Sequence, residues 1–201
     1  MIPPESRNPR DLSLSDRAAA DLSFVRSAME NGGRFSAVPG WGAVFMGTVG
    51  FAAAGVASLA ESPKSWLVTW LIAAAVAATL GGFAMERKAS RKQLPLTGRL
   101  GRKFFLGLCP ALVAGAFLTL LLYRADQHAL LPATWLLLYG AGTIACGAFS
   151  IPPVPIAGGL FLGLGVLATF LPADLGNLLL AVGFGGVHWL FGLYIARRHG
   201  G

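Results

Sequence analysis

Six apolar runs, each of roughly twenty residues, dominate the sequence between Trp41 and Ala196. A helix rises about 1.5 Å per residue, so each run is long enough to cross a hydrocarbon layer about 30 Å thick. In lipid, such a run satisfies its backbone polar groups within itself by becoming helical. The pattern therefore predicts an all-α integral membrane bundle of six transmembrane helices, with spans at about 41–60, 65–85, 104–123, 131–149, 156–171 and 177–196.

Proline separates several of these runs, because it lacks an amide donor and disfavours helix in the preceding residue. The fifth run is the shortest, and three prolines lie close to its start: Pro152, Pro153 and Pro155. The segment 151–159 is therefore either a tight turn at the membrane surface or a re-entrant piece shielded by protein or water.

Composition limits what else the chain contains. Of its 201 residues 55% are hydrophobic and 12% are charged, and a soluble domain carries about 25% charged residues. We expect an N-terminal arm over 1–36 and one membrane domain over 37–201. The net charge is +7, and we assign it to anionic lipid headgroups and to topology, with no nucleic-acid partner.

Lysine and arginine predict the orientation. All 16 except Lys64 and Arg124 lie in the arm, between spans two and three, or after span six. Cytoplasmic loops carry the excess of positive charge in membrane proteins. We therefore expect both termini in the cytoplasm.

The arm contains one amphipathic segment. Ser13 and Asp16 resemble a capping box, and apolar residues then recur at helical spacing until Asn31. This predicts a cytoplasmic helix over about 15–30. The helix either packs on the membrane or the bundle, or binds a cytoplasmic protein partner.

The end of the arm resembles a known group of sequences. The stretch Phe35-Ser36-Ala37-Val38-Pro39-Gly40-Trp41-Gly42, with Arg17, Phe24-Val25-Arg26 and Met29-Glu30 before it, is similar to the opening of uncharacterised bacterial membrane proteins. In that group a short helix and a VPGWG entry precede several spans. The resemblance implies a bacterial inner-membrane location and no established activity. Physically, Trp41 is expected to anchor the first span at the headgroup level.

Glycine is abundant, with 27 residues, and small residues spaced four apart let membrane helices approach closely. The candidate packing pairs are Ala43 with Gly47, Gly159 with Gly163, and Ala181 with Gly185. Such pairs serve either packing within one bundle or a homo-oligomer interface. Glycines such as Gly183 are alternatively expected to narrow the lining of a conduit.

His188 is the ionisable side chain nearest the middle of a span. Intramembrane ionisable residues are costly and often functional, yet a neutral imidazole is accommodated by one or two hydrogen bonds. The expected partners are Thr48, Thr119, Thr143, Thr169 or a backbone carbonyl freed near glycine. His188, Thr119, Thr143 and Gly183 then form either a pathway site or a packed polar site. One histidine does not complete a zinc or haem site, and we expect no metal and no cofactor.

The spans contain no pair of carboxylates and no combination of a nucleophile with a base, so the sequence gives no indication of an enzyme active site. We therefore identify no catalytic residue and expect a protein that is not an enzyme. The leading hypothesis is a passive conduit or carrier for a small neutral or weakly polar solute. The alternatives are a non-catalytic scaffold or regulatory subunit that binds a partner through residues 15–30, and a cofactor protein using His188.

Overall fold

The computed structural model describes Arg17, Asp21, Leu22, Val25 and residues 33–200. The chain divides into two units, Met1–Arg34 and Phe35–Gly201. Within the predicted 15–30 helix, the four described residues are helical, and the rest of that prediction lies outside the described residues.

The second unit contains six long helices. Their bounds are α1 Gly40–Ala57, α2 Pro63–Arg91, α3 Arg99–Arg124, α4 Leu131–Gly147, α5 Pro153–Phe170, and α6, which begins with a 3-10 turn at Ala173 and ends at His199. All six are long and apolar enough to cross a membrane. The described part of the chain contains no β-strand beyond one isolated bridge. The predicted all-α membrane bundle is confirmed, and the protein is membrane-embedded.

The two ends of the bundle have different chemistry. One end, here called the basic end, comprises residues 35–39, 86–103 and 197–199. A cluster that includes Phe35, Ala89, Phe104, Ile151 and Ile195 packs there. The buried Lys88 ammonium donates to the carbonyls of Val38 (2.9 Å), His199 (3.2 Å) and Gly200, so it ties the entry segment and the end of α6 to α2.

The opposite end, here called the tryptophan end, is held by Trp66, Trp70, Trp135 and Asn177. The Asn177 side-chain oxygen accepts from the indole nitrogens of Trp66 (3.2 Å) and Trp70 (3.1 Å). Its amide nitrogen donates to the Ala54 carbonyl (2.9 Å). Trp66 stacks on Trp135 with ring centroids 5.5 Å apart. These contacts join α1, α2, α4 and α6 at this end.

The helices form an incomplete ring in the order α2, α1, α6, α5, α4, α3. Each of these neighbours packs on the next. Apart from side-chain contacts at the two ends of the bundle, α2 packs mainly on α1, and α3 packs mainly on α4 and the short turn before it. The sequence neighbours α2 and α3 are therefore the two free flanks of the ring.

Close glycine contacts hold the other helices together. A Cβ at Gly47 or Gly50 would lie within 2.7 Å of backbone atoms of α6, and a Cβ at Gly140 would lie 2.5 Å from the Leu162 amide nitrogen on α5. These seams, α1 with α6 and α4 with α5, form the rigid back of the ring.

The fifth span is an ordinary helix of 18 residues that begins at Pro153. Before it, Phe35 pairs with the loop that follows α4: its amide donates to the Phe149 carbonyl (2.7 Å), and the Ser150 hydroxyl donates to the Phe35 carbonyl (2.8 Å). The segment 151–159 is thus a short connection followed by helix, and the structure favours the surface turn over the re-entrant piece.

Candidate functional site: an apolar groove between two helices

A cavity of about 560 Å³ lies inside the incomplete ring. Helices α1, α4, α5 and α6 form its back, and α2 and α3 form its sides. We call this cavity and its opening between α2 and α3 the groove. Its volume is within the range of roughly 300–1,000 Å³ that is usual for ligand pockets.

Each side of the groove is one helical stripe. The α2 stripe contains Leu71, Ala74, Ala78, Gly81 and Met85, and the α3 stripe contains Phe105, Cys109, Leu112, Ala116 and Thr119. These positions alternate in steps of three and four, which is the spacing of one helix face. Several are alanine or glycine, so the space exists because the side chains facing it are short.

No charged side chain lines the groove among the described residues. Its polar side chains include Tyr139, Thr143 and His188, at the back, and Thr119. The Thr119 hydroxyl donates to the Gly115 carbonyl (2.7 Å) and accepts from the Trp135 indole nitrogen (2.8 Å). Thr119 therefore links α3 to α4.

His188 is held by two hydrogen bonds. Its Nδ1 lies 3.1 Å from the Phe184 carbonyl, and its Nε2 lies 2.8 Å from the Tyr139 hydroxyl. A carbonyl oxygen only accepts, so Nδ1 carries the proton and Nε2 accepts from Tyr139. Both ring nitrogens of a neutral imidazole are thereby satisfied inside the protein.

Aromatic rings surround this pair. Phe161 lies 4.8 Å from the Tyr139 ring and 5.1 Å from the His188 ring, measured between centroids. Phe184 lies 5.2 Å from Tyr139 and stacks on His188 at 6.1 Å. The back of the groove therefore presents mainly aromatic carbon.

The turn of α6 that carries Phe184 is a π-helix over Ala181–Val187. It contains three glycines, Gly183, Gly185 and Gly186, whose flexibility permits the wider turn. Single π turns in membrane or soluble helices are frequent at functional sites. Here the π-helix lies against Gly47 and Gly50 of α1, and it precedes His188 directly.

The structure brings together only some of the residues singled out from the sequence. His188 and Thr143 both line the groove, whereas Gly183 packs against Leu136 and Phe161. Tyr139, the actual side-chain partner of His188, was missed, because tyrosine in an apolar run gives no signal of its partner. The prediction of a backbone carbonyl near glycine agrees with the observed Phe184 contact.

The packing pairs have mixed outcomes. Gly47 and Gly185 lie in the contact between α1 and α6, and Ala43 lies beside Gly192 of α6. No heavy atom lies within 4 Å of a Cβ built at Gly159 or Gly163. The prediction that this pair packs against another helix of the same chain is therefore wrong. The reason is helix rotation: α5 packs through Gly158 and Gly165, on its other side. The homo-oligomer interface stays a prediction.

Two other sequence features have clear positions. Cys109 is exposed and lines the groove, and Cys146 is buried. Trp41 is 53% exposed at the start of α1, where an interfacial anchor is expected to lie.

Among the described residues there is no group of three or more metal-ligating side chains.

Comparison of the chain with protein families, with characterised proteins and with solved structures found no match. The resemblance to uncharacterised bacterial membrane proteins therefore stays a prediction.

Proposed function

We propose that this protein is a membrane-embedded binding protein or carrier for an amphipathic ligand, whose hydrocarbon part enters the groove from the bilayer between α2 and α3. The observation that carries the proposal is the groove itself: an apolar cavity of about 560 Å³ flanked by two helices that do not pack on each other. It refines the weakly polar solute expected from the sequence toward a ligand that already resides in lipid.

The lining supports a carrier more than a pore for polar solutes. A path for polar solutes needs donors and acceptors along its wall. In the groove, the His188 nitrogens, the Trp135 indole and the Thr119 hydroxyl are engaged with protein partners. What remains for a ligand is mostly alanine, leucine and aromatic carbon, which favours a hydrocarbon chain.

We also infer a bacterial inner-membrane location with both termini in the cytoplasm. Supporting this, residues 86–103 and 197–199 carry nine of the cations and a single acidic residue, Glu86. The scaffold alternative depends on residues 15–30 and stays a prediction, as do the homo-oligomer and the protein partner.

The proposal is tested by photolabelling in nanodiscs. Phosphatidylcholine with a diazirine in the middle of one acyl chain is the probe, and peptide mass spectrometry locates the adducts. We expect adducts concentrated on the α2 and α3 stripes relative to the outer faces of α1 and α5. Uniform labelling of all lipid-facing surfaces would overturn the proposal.

A pair of matched variants sharpens the test. Gly82→Leu with Ala116→Leu fills the groove, since both residues line it and a Cβ at Gly82 meets no heavy atom within 4 Å. Gly55→Leu with Gly163→Leu adds leucines where a Cβ likewise meets nothing within 4 Å, but outside the groove. Labelling of the stripes is expected to fall in the first variant and to persist in the second.

A second measurement uses the native chain. Cys109 lines the groove and is exposed, so an occupant is expected to slow its alkylation by a membrane-permeant maleimide. Cys146 also lines the groove but is 1% exposed, so its alkylation reports that the reagent has reached the back of the groove or that the bundle has opened, and thermal unfolding checks the fold separately. Equal Cys109 rates in the filled variant and the wild-type chain would count against a ligand space at this position.

A further inference from the structure

We propose that the occupant of the groove is an anionic phospholipid, whose phosphate is bound at the basic end by Lys92 and Arg102. This inference rests on the proposed function, because it names the ligand class of the same groove. The evidence for this inference is the position of the charged residues relative to the α2 and α3 stripes.

Both stripes end in cations. On α2, the position after Met85 in the same alternation of three and four is Lys88, and Lys92 directly follows the last residue of the helix. On α3, the position before Phe105 is Arg102. Beyond the residues that line the groove, each side therefore continues into positive charge at this end, which is the pattern that a lipid tail and an anionic headgroup require.

These cations are available to a ligand to different degrees. Lys88 is buried and donates to three carbonyls, so it already has partners. Lys92 and Arg102 are exposed. The Lys92 ammonium donates a long hydrogen bond of 3.4 Å to the Ser36 carbonyl. Within the described residues, neither Lys92 nor Arg102 forms an ion pair with a carboxylate.

The charge of this segment is not neutralised within the segment itself. Residues 86–103 contain Arg87, Lys88, Arg91, Lys92, Arg99, Arg102 and Lys103 but a single acidic residue, Glu86. Arg87 and Lys103 lie over the rings of Phe83 (4.6 Å) and Phe149 (5.2 Å). A phosphate is a better partner for the remaining cations than water, because charge-assisted hydrogen bonds to it are short and strong.

Among the described residues, the opposite end has no equivalent pair of cations: continued in the same steps, the α2 stripe reaches Lys64, but the α3 side reaches Asp126, a carboxylate 3.0 Å from His128. There the groove meets Trp70 and Trp135, whose indole nitrogens donate to Asn177 and Thr119. A lipid in the groove is thus oriented by its charge, with the phosphate at the basic end and the chain directed toward the Tyr139–His188 pair.

The experiment compares two probes with the same diazirine-bearing acyl chain, phosphatidic acid and diacylglycerol, in nanodiscs of phosphatidylcholine. We expect phosphatidic acid to label the stripes more strongly. In Lys92→Gln with Arg102→Gln this preference should fall by roughly tenfold for each cation removed, the low end of the effect of losing one direct hydrogen bond between charged groups.

The control variant is Arg197→Gln with Arg198→Gln. It removes the same charge at the same end, but from α6, which packs on α1 and α5 rather than beside the opening. It should retain the preference for phosphatidic acid. An equal loss in both variants would indicate general surface attraction and would overturn the assignment to Lys92 and Arg102.

The outcomes separate the two proposals. Equal labelling of the stripes by both probes overturns the phosphate inference and leaves the proposed function standing. No enrichment on the stripes with either probe overturns both. Displacement of the phosphatidic acid probe by a polyprenyl phosphate at a far lower concentration than unlabelled phosphatidic acid requires would overturn the choice of phospholipid.

Discussion

At the scale of single residues, two sets of polar side chains within the bundle are paired with each other. His188 with Tyr139 and Asn177 with two tryptophans each join different helices. A polar group left without a partner in an apolar environment costs free energy, so each pair stabilises one arrangement of the helices against others. His188 therefore has a structural explanation that requires no cofactor.

The Tyr139–His188 pair leads to a test of that explanation. Tyr139→Phe leaves His188 Nε2 without its donor, and His188→Phe leaves the Tyr139 hydroxyl without its acceptor. We expect each single variant to lower the free energy of unfolding by about 1–3 kcal/mol, the cost of an unsatisfied buried group. The double variant should be less destabilised than the sum of the two, because both partners are then apolar.

Thermal unfolding in detergent measures this double-mutant cycle. Labelling of the groove by lipid probes is expected to persist in the folded double variant, since the pair presents no free donor to a hydrocarbon chain. A loss of labelling without a loss of stability would instead assign His188 a direct role in ligand binding.

At the scale of the helices, two kinds of glycine have opposite consequences. A Cβ at Gly50 would lie 2.6 Å from the Phe184 carbonyl carbon and oxygen, in the seam between α1 and α6. A Cβ at Gly55, on the same helix, meets nothing within 4 Å. Sequence alone does not separate these positions, because both are glycines in one apolar run.

Gly50→Ala is expected to destabilise the protein by about 1–3 kcal/mol, because backbone atoms of the π-helix have to shift to accept the methyl group. Gly55→Ala should be neutral or stabilising by up to about 1 kcal/mol through helix propensity. Thermal unfolding of the two variants side by side checks this. Equal effects would mean that α1 and α6 do not pack as closely as the structure has them.

At the scale of the whole molecule, the segment that enters α1 and the end of α6 lie at the same end of the bundle, where Lys88 binds both, and the groove opens between α2 and α3. The cations are distributed unequally between the two ends of the bundle: Lys64 and Arg124 are the lysine and arginine residues at the tryptophan end, and the others after Phe35 lie at the basic end. The predicted sidedness is accessible to experiment without any knowledge of the ligand.

Cysteines introduced at Thr97 and Glu61, both exposed in loops, test the orientation in a background without Cys109 and Cys146. In intact cells, a membrane-impermeant maleimide is expected to label Glu61→Cys and not Thr97→Cys. After the membrane is permeabilised, both should react. The reverse pattern in intact cells would place the basic end outside and would contradict the positive-inside assignment.

The sequence alone determined the number of spans, their approximate bounds and the concentration of charge at one end. These properties depend on composition along the chain, and composition is local. The bounds differ mainly where polar residues extend a helix beyond the apolar run, as α2 does to Arg91 and α3 does from Arg99. The π-helix and the 3-10 turns were not predicted, because no residue pattern separates them from ordinary helix in a glycine-rich run.

Only the tertiary structure decided which face of each helix points inward. In lipid, inward and outward faces are both apolar, so hydrophobic periodicity carries little information about packing. For this reason the sequence did not predict three features of the packing. These are the partners of His188 and Asn177, the outward position of Gly159 and Gly163, and the separation of α2 from α3. The groove depends on that separation, because it arises from how six similar helices rotate and pair.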